Sequence, residues 1–295
     1  MVSFDFKSNI NLPCVTTKLA STNYDDKMTT HFFGIVPENR LLCANYYVFD
    51  ELCEQKKVDM IASALIMFLD ANIAGFDMLY LFCDNTVSQN KNRFIVALLC
   101  MMRLRYNLIE IRLNFMVVGH THMKVDMCFG RVQKCLKMKN LFTSYDIVAA
   151  INGNGKLGKC YYVERTLRLH DLFDAVPPAT GITAYYHTIK INGSGVYASI
   201  KTLGQRRADE QVDRKYWDVK LPSLQAFNKF IGDPLSLNPR KTFKNADVQK
   251  TKRAYERYAN VTDDALRFIT TKMSTCTTKD EEEMKKEAKK KAGKK

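Results

Sequence analysis

The spacing of apolar residues predicts alternating strands and helices in the first half of the chain. Residues 2–6 alternate between apolar and polar, and two more runs rich in strand-forming residues follow at 31–36 and 43–50. From Val58 the apolar positions recur at helical spacing, which is typical of an amphipathic helix. The run "MLYLFC" at 78–83 is almost continuously apolar, which indicates a strand that is covered on both faces.

Three further elements complete the predicted sheet. A helix is expected from about Gln89 to Leu104, a fifth strand at 109–119 and another helix from Lys124. The resulting order is β-β-β-α-β-α-β-α, in which three strands form an antiparallel meander. Helical crossovers then place the later strands parallel to the first. We therefore predict an α/β fold with a mixed five-stranded sheet and helices on both faces, the element order of ribonuclease-H-like folds.

The pattern becomes looser after residue 150. Residues 160–173 indicate a strand followed by a short helix, and the turn Asn192-Gly193-Ser194-Gly195 indicates a hairpin. The sequence therefore predicts a core at 1–150 and an α+β extension with a hairpin at 151–245. A basic helical segment with a Lys-rich tail is expected at 246–295.

Charge is distributed unevenly along the chain. The formal net charge is +14, and residues 201–295 hold 24 Lys and Arg against 14 Asp and Glu. A basic C-terminal third favours a polyanionic partner, most often nucleic acid. The alternative is a solvated tail that increases solubility. No stretch approaches the roughly 18 uninterrupted apolar residues of a membrane span, so no membrane partner is expected.

The cysteines do not form a recognisable framework. There are nine of them, they are scattered, and none is arranged as C-x-x-C. An odd number at irregular spacing favours reduced thiols in an intracellular compartment over a set of disulfides or a zinc finger.

Three acidic residues fall at ends of the predicted elements. Asp5 lies in the first strand, Asp84 closes the fourth strand beside it, and Asp126 begins the helix after the fifth strand. We expect them to converge at one end of the sheet. Close carboxylates repel one another unless a cation neutralises them, and hard divalent cations prefer oxygen ligands. The prediction is a site in which these acids hold two Mg²⁺ or Mn²⁺ ions for phosphoryl transfer.

Each acid also has an ordinary explanation when taken alone. Asp5 fits an exposed position on a strand, and Asp84 fits an Asx-turn. Asp126 fits the first turn of a helix, where a negative charge complements the helix dipole. Their joint placement at matched ends favours the metal site. Polar residues beside the fourth strand are then expected to contact a nucleic-acid backbone. They are Gln89, Asn90, Lys91 and Arg93.

Three blocks of the sequence resemble a ribonuclease-H-like family of transposon-derived open reading frames in eukaryotes and large viruses. The blocks are "FDELCEQKKVDMIASAL", "CDNTVSQNKNR" and "FMVVGHTHMKVDMCFG". The resemblance covers roughly residues 1–200. It implies the same three active-site aspartates, with Glu51 as an auxiliary fourth acid. It also favours a contact of His120 with Asp126 or with a phosphate, and Lys124 is grouped with the nucleic-acid-binding residues.

Two other groups of residues offer competing chemistry. His120, His122, Asp126 and Cys128 form an alternative transition-metal cluster. The segment Gly153–Lys159 satisfies both G-x-G-x-x-G and G-x-x-x-x-G-K, as a phosphate-binding loop would. Both of those motifs need a following helix, whereas a strand is predicted there, so an ordinary loop is favoured.

The expected function is therefore metal-dependent cleavage or strand transfer of nucleic acid, with DNA favoured over RNA. A nuclear or virion-associated location and an oligomeric state are compatible with this expectation. The alternative is a catalytically inactive, nucleic-acid-binding structural protein of a chromatin-like or virion particle, which the basic tail favours and the retained acids oppose. A third hypothesis is a nucleotide-binding enzyme that uses Gly153–Lys159.

Overall fold

The protein is described here by a computed structural model. It describes residues 1–16, 27–38, 42–53, 57–116, 123–177, 187–199, 214–217, 221–239, 251–252, 255–256, 264–265 and 267. The strands in these ranges are β1 (Val2–Leu12), β2 (Met28–Pro37), β3 (Asn45–Asp50), β4 (Met78–Cys83), β5 (Glu110–Phe115), β6 (Lys159–Tyr162), β7 (Thr188–Asn192), β8 (Gly195–Ser199) and β9 (Arg214–Trp217). The helices are α1 (Lys57–Asn72), α2 (Arg93–Arg105), α3 (Lys124–Lys137), α4 (Ser144–Asn152), α5 (Leu169–Phe173) and α6 (Leu224–Gly232).

All of these strands belong to one mixed sheet with the order β6-β3-β2-β1-β4-β5-β7-β8-β9. The first three strands form the predicted antiparallel meander. Strand β4 is parallel to β1, and β5 is parallel to β4, as the helical crossovers require. The predicted α/β class and the predicted order of the first eight elements are confirmed.

The predicted number of strands is wrong, because the extension adds strands to both edges of the sheet. Strand β6 pairs in parallel with β3, and the hairpin of β7 and β8 continues from β5, followed by β9. Strand edges carry backbone N–H and C=O groups that need partners, and these additions provide them. The extension at 151–245 thus shares its sheet with the core, while the boundary at residue 150 stays a prediction.

Alternate side chains of the central strands enter two separate cores. In β2, Phe33 and Ile35 pack with helices α1 and α2 on one face. Phe32 and Val36 pack with α3 and α4 on the other face. The period of two along a strand explains this division. The predicted cover of helices on both faces is confirmed, and no helix in the described ranges is long and apolar enough to span a membrane.

One helix boundary and one additional helix differ from the predicted elements. Helix α2 begins at Arg93 rather than Gln89, because the Asn92 side chain accepts hydrogen bonds from the N–H groups of Phe94 and Ile95. Helix α4 was not predicted, although Thr143 and Asp146 form a capping box at its start.

Candidate metal centre

The register of β1 and β4 brings two of the predicted acids side by side. Val2 pairs with Leu81 and Ser3 with Phe82, so the next positions place Asp5 level with Asp84. The preceding residues of both strands, Phe4 and Cys83, lie in the core beneath α1 and α2. Alternation along each strand therefore directs Asp5 and Asp84 to the opposite face, which α3 covers.

A glycine in β2 allows α3 to come close to this point of the sheet. Gly34 pairs with Asp5 across the strands. A Cβ atom on Gly34 would lie 2.6 Å from Phe129 Cε1 and 3.0 Å from Val125 Cγ2, both on α3. The missing side chain thus makes room for the first two turns of α3. Asp126 belongs to the first of these turns.

The electrostatics of Asp5 show that the three acids lie together. The pKa of Asp5 is raised to about 6, first by burial and also by the charges of Asp126 and Asp84, while the hydrogen bond from the Phe6 N–H acts to lower it. Burial also raises the pKa of the Cys83 thiol, with additional contributions from Asp5 and Asp84. The structure therefore brings Asp5, Asp84 and Asp126 into one electrostatic group.

Each of these carboxylates uses one oxygen to accept a hydrogen bond from a nearby backbone N–H. The pairs are Asp5 Oδ1 with Phe6 at 2.8 Å, Asp84 Oδ1 with Asn85 at 2.7 Å, and Asp126 Oδ2 with Met123 at 2.8 Å. No second hydrogen bond reaches the other oxygens from the described part of the chain. Three oxygens are thus open to a hard cation. Within the same ranges no three His, Cys, Asp or Glu side chains are arranged to hold a metal ion as they stand.

The loop after Asp84 is fixed from inside by Asn90. Only 2% of Asn90 is exposed, and its Nδ2 donates to Asp84 O and to Thr86 Oγ1, each at 3.1 Å. Three backbone N–H groups, those of residues 89, 90 and 91, also point to Thr86 O. The side chain is thus buried and holds the loop, and its predicted contact with a nucleic-acid backbone stays a prediction.

Lys91 has a similar role in the same loop. It is 2% exposed, its Nζ donates to Asn85 Oδ1 at 3.1 Å, and it lies 5.1 Å from the centroid of the Phe115 ring. Burial lowers the pKa of Lys91. The ammonium group thus stabilises the loop beside Asp84, and its predicted contact with phosphates stays a prediction.

Comparison with known families gives one match. The profile of a family described as a domain of unknown function (DUF7869) matches residues 20–180. The chain belongs to the DUF7869 family. No curated protein matches the chain, and no solved structure does. The matched DUF7869 segment contains Asp84 and Asp126, whereas Asp5 precedes it. The resemblance to transposon-derived proteins stays a prediction.

The remaining basic and polar residues predicted near the acids have other surroundings. Arg93 Nη1 donates to Val176 O, on the side of the sheet that α2 covers. Lys124 Nζ donates to Pro37 O at 2.9 Å. Gln89 is partly exposed at the loop surface, where a contact with nucleic acid stays a prediction. His120 lies outside the described residues, as does His122 of the alternative zinc cluster.

Glu51 is not brought to the other acids. Asp5 pairs with Gly34, Gly34 pairs with Tyr46, and Glu51 follows Tyr46 by five residues. Five residues of extended strand correspond to roughly 16 Å. Glu51 Oε2 instead accepts from the Thr29 N–H at 3.3 Å. The residue lies past the end of β3, apart from the other acids, and its role as an auxiliary fourth acid stays a prediction.

Two residues of the site were missed. Gly34 had a signal in the sequence, since a glycine inside an apolar strand marks a close approach of another backbone or helix. Lys7 follows Asp5 by two residues on β1 and therefore has the same facing. Burial lowers the pKa of Lys7, which lines a cleft along α3. The sequence contained a signal for Lys7, because a residue two positions after Asp5 in a strand lies on the same face of the sheet.

The raised pKa of Asp5 predicts how the stability of the protein depends on pH. The usual value of 3.8 rises to about 6 on folding, so folding favours the protonated form. The corresponding stabilisation is fully present below about pH 4 and is lost as pH rises through 6. Without divalent cations, Asp5→Asn should therefore unfold with a free energy about 1–2 kcal/mol higher than wild type at pH 8. Urea unfolding of both proteins from pH 4 to 8 measures this; equal stability at every pH would contradict it.

Proposed function

We propose that this protein is a metal-dependent phosphoryl transferase of nucleic acid, built on a ribonuclease-H-like sheet. The strand order β3-β2-β1-β4-β5, with β4 and β5 parallel to β1, supports this assignment. The observation that carries it is the electrostatic group of Asp5, Asp84 and Asp126 at the carboxyl end of β4. Neighbouring carboxylates, each with one oxygen that accepts no hydrogen bond from the described residues, are unfavourable alone and suit a divalent cation.

The carboxylate oxygens fit Mg²⁺ or Mn²⁺, with Asp5, Asp84 and Asp126 as the residues that would hold two ions. Such ions would activate water or a 3′-hydroxyl and neutralise charge on the reacting phosphate. The chain itself positions the carboxylates. Asn90 fixes the loop that carries Asp84, and Gly34 allows α3 to bring Asp126 over β1.

A basic cleft beside the acids supports a nucleic-acid substrate. The cleft has a volume of about 280 Å³ and runs between β1 and the C-terminal part of α3. Its lining includes Lys7, Lys27 and Lys137. Lys7 lies two residues beyond Asp5, a distance of about 7 Å along the strand. These cations would bind phosphates that flank the reacting one, so binding should weaken as salt is added.

The proposal is tested by incubating the protein with labelled single- and double-stranded DNA and RNA. We expect cleavage or joining of at least one substrate with Mg²⁺ or Mn²⁺ and none with EDTA. Salt-sensitive binding without any metal-dependent reaction would instead support the inactive structural protein. The comparison of substrates also decides between DNA and RNA.

A further inference from the structure

A second cavity lies across α3 from the acidic group. Its volume is about 590 Å³, and it opens between the end of β2, the starts of β3 and β6 and the loop after α4. Two strand spacings, about 10 Å, separate β3 from β1. Four cationic side chains line the cavity, and no Asp or Glu among the described residues does so. The four are Lys124, Arg131, Lys156 and Lys159.

Helix α3 contributes two of these cations from a single face. Lys124, Cys128 and Arg131 follow one another at intervals of four and three residues, so they lie along one side of the helix. Lys124 is held at the end of β2 by its bond to Pro37 O. Arg131 is close enough to Tyr46 for its charge to oppose the increase in the Tyr46 pKa that burial causes.

The loop between α4 and β6 contributes Lys156, the first residue of β6 contributes Lys159, and this segment is attached firmly at Ala44, just before β3. Gly158 has φ +117°, and a Cβ there would lie 2.2 Å from Ala44 O, so only glycine fits. The next residue, Lys159, donates its N–H to the same carbonyl at 2.9 Å. This attachment keeps Lys156 and Lys159 beside the cavity.

A pair of hydrogen bonds closes the base of the same loop. Asn152 Nδ2 donates to Cys160 O at 3.0 Å, and Asn152 Oδ1 accepts from the Cys160 N–H at 2.8 Å. The last residue of α4 is thereby joined to β6. The backbone of the loop is therefore already fixed before a ligand binds, so binding costs less conformational entropy of the backbone.

The positive charge of the cavity is poorly compensated. Glu38 Oε2 lies 3.7 Å from Lys124 Nζ at the rim. Arg131, Lys156 and Lys159 make no ion pair within the described part of the chain. Like charges gathered around a concave surface focus a positive potential, which attracts anions.

We propose that this cavity binds a phosphate ester of nucleotide size. Its volume lies within the roughly 300–1,000 Å³ typical of ligand sites, and lysine and arginine side chains bind phosphates through charge-assisted hydrogen bonds. The site is not a P-loop, because strand β6 follows the glycine-rich segment where a helix would be needed. The ligand is held by side-chain cations, and the site does not depend on the proposed phosphoryl transfer.

Calorimetric titration with ADP, inorganic phosphate and a 5′-phosphorylated oligonucleotide tests the proposal. Arg131→Ala should weaken binding of the ligand about tenfold, and the double variant Lys156→Ala/Lys159→Ala should weaken it further. Lys134→Ala is the matched control, because Lys134 is an exposed cation of α3 outside the cavity lining. Circular dichroism verifies that each variant folds; the replaced side chains at 131, 156 and 159 are exposed and should tolerate the change.

The three ligands distinguish the sources of the phosphate. Binding of ADP that depends on Arg131 supports a free nucleotide, and binding of the oligonucleotide alone with the same dependence supports a nucleic-acid chain. Binding should persist in Asp84→Asn with EDTA, so failure of the proposed nuclease would leave this result unchanged. No binding of any ligand, or an equal loss in Lys134→Ala, would overturn the proposal.

Discussion

Replacing Asp84 with asparagine should strongly reduce metal-dependent cleavage while the fold is retained. The substitution keeps the size of the side chain and removes the charge at the carboxyl end of β4, beside Asp5. Metal ions supply several kcal/mol of stabilisation to a developing phosphoryl charge, so the initial rate should fall on the order of a thousandfold. The measurement is the initial cleavage rate at saturating Mg²⁺.

Asp77→Asn provides the matched control for this experiment. Asp77 is exposed just before β4, at the other end of the same strand, and its backbone carbonyl accepts from the Ile109 N–H. The rate should be unchanged in this variant. Full activity of Asp84→Asn would remove Asp84 from the site, and equal losses in both variants would point to a general effect of charge.

Replacing Gly34 with valine should destabilise the protein and also lower its activity. The side chain would enter space that Phe129 and Val125 of α3 already fill, starting with a Cβ only 2.6 Å from Phe129 Cε1. Overpacking of this kind lowers the free energy of unfolding by about 1–3 kcal/mol. Valine adds three carbon atoms at a position that has no side chain, so we expect a loss at the upper end of this range. Because α3 carries Asp126, its displacement should also reduce the cleavage rate. Urea unfolding measures the loss of stability.

Gly130→Ala is the control for this prediction and should have the opposite sign. Gly130 lies in α3, is exposed, and has no atom within 4 Å of an added Cβ. Alanine in a helix is favoured over glycine by about 0.5–1 kcal/mol, so the variant should be slightly more stable than wild type. Wild-type stability of Gly34→Val would show that α3 does not pack against β2 as described.

The central part of the fold follows from local patterns. The alternation at the start of β1, the continuous apolar run of β4 and the helical spacing of α1 each specify an element, and crossovers then fix which strands are parallel. The choice of β6 and β7 to pair with opposite edges of the sheet has no such signal. The pairing is determined by tertiary structure, namely by which unpaired sheet edge each strand reaches.

The same distinction applies to the site. Asp5, Asp84 and Asp126 could be grouped from the sequence because topology alone places β1 beside the end of β4 and the start of α3. The burial of Asn90 and Lys91 could not be predicted, because a polar loop gives no sign that it folds inward. Only the loop side of the basic cavity is singled out by the sequence, as Gly153–Lys159; its connection to Lys124 and Arg131 of α3 was missed, since these parts are distant in the chain.

Diffraction from crystals soaked in Mn²⁺, recorded at a wavelength where manganese scatters anomalously, tests most directly whether the three aspartates share a cation site. The account predicts at least one anomalous peak about 2.0–2.3 Å from carboxylate oxygens of Asp5, Asp84 and Asp126. The peak should be lost in Asp5→Asn crystals. Absence of a peak between these side chains, or manganese bound only elsewhere, would contradict the account.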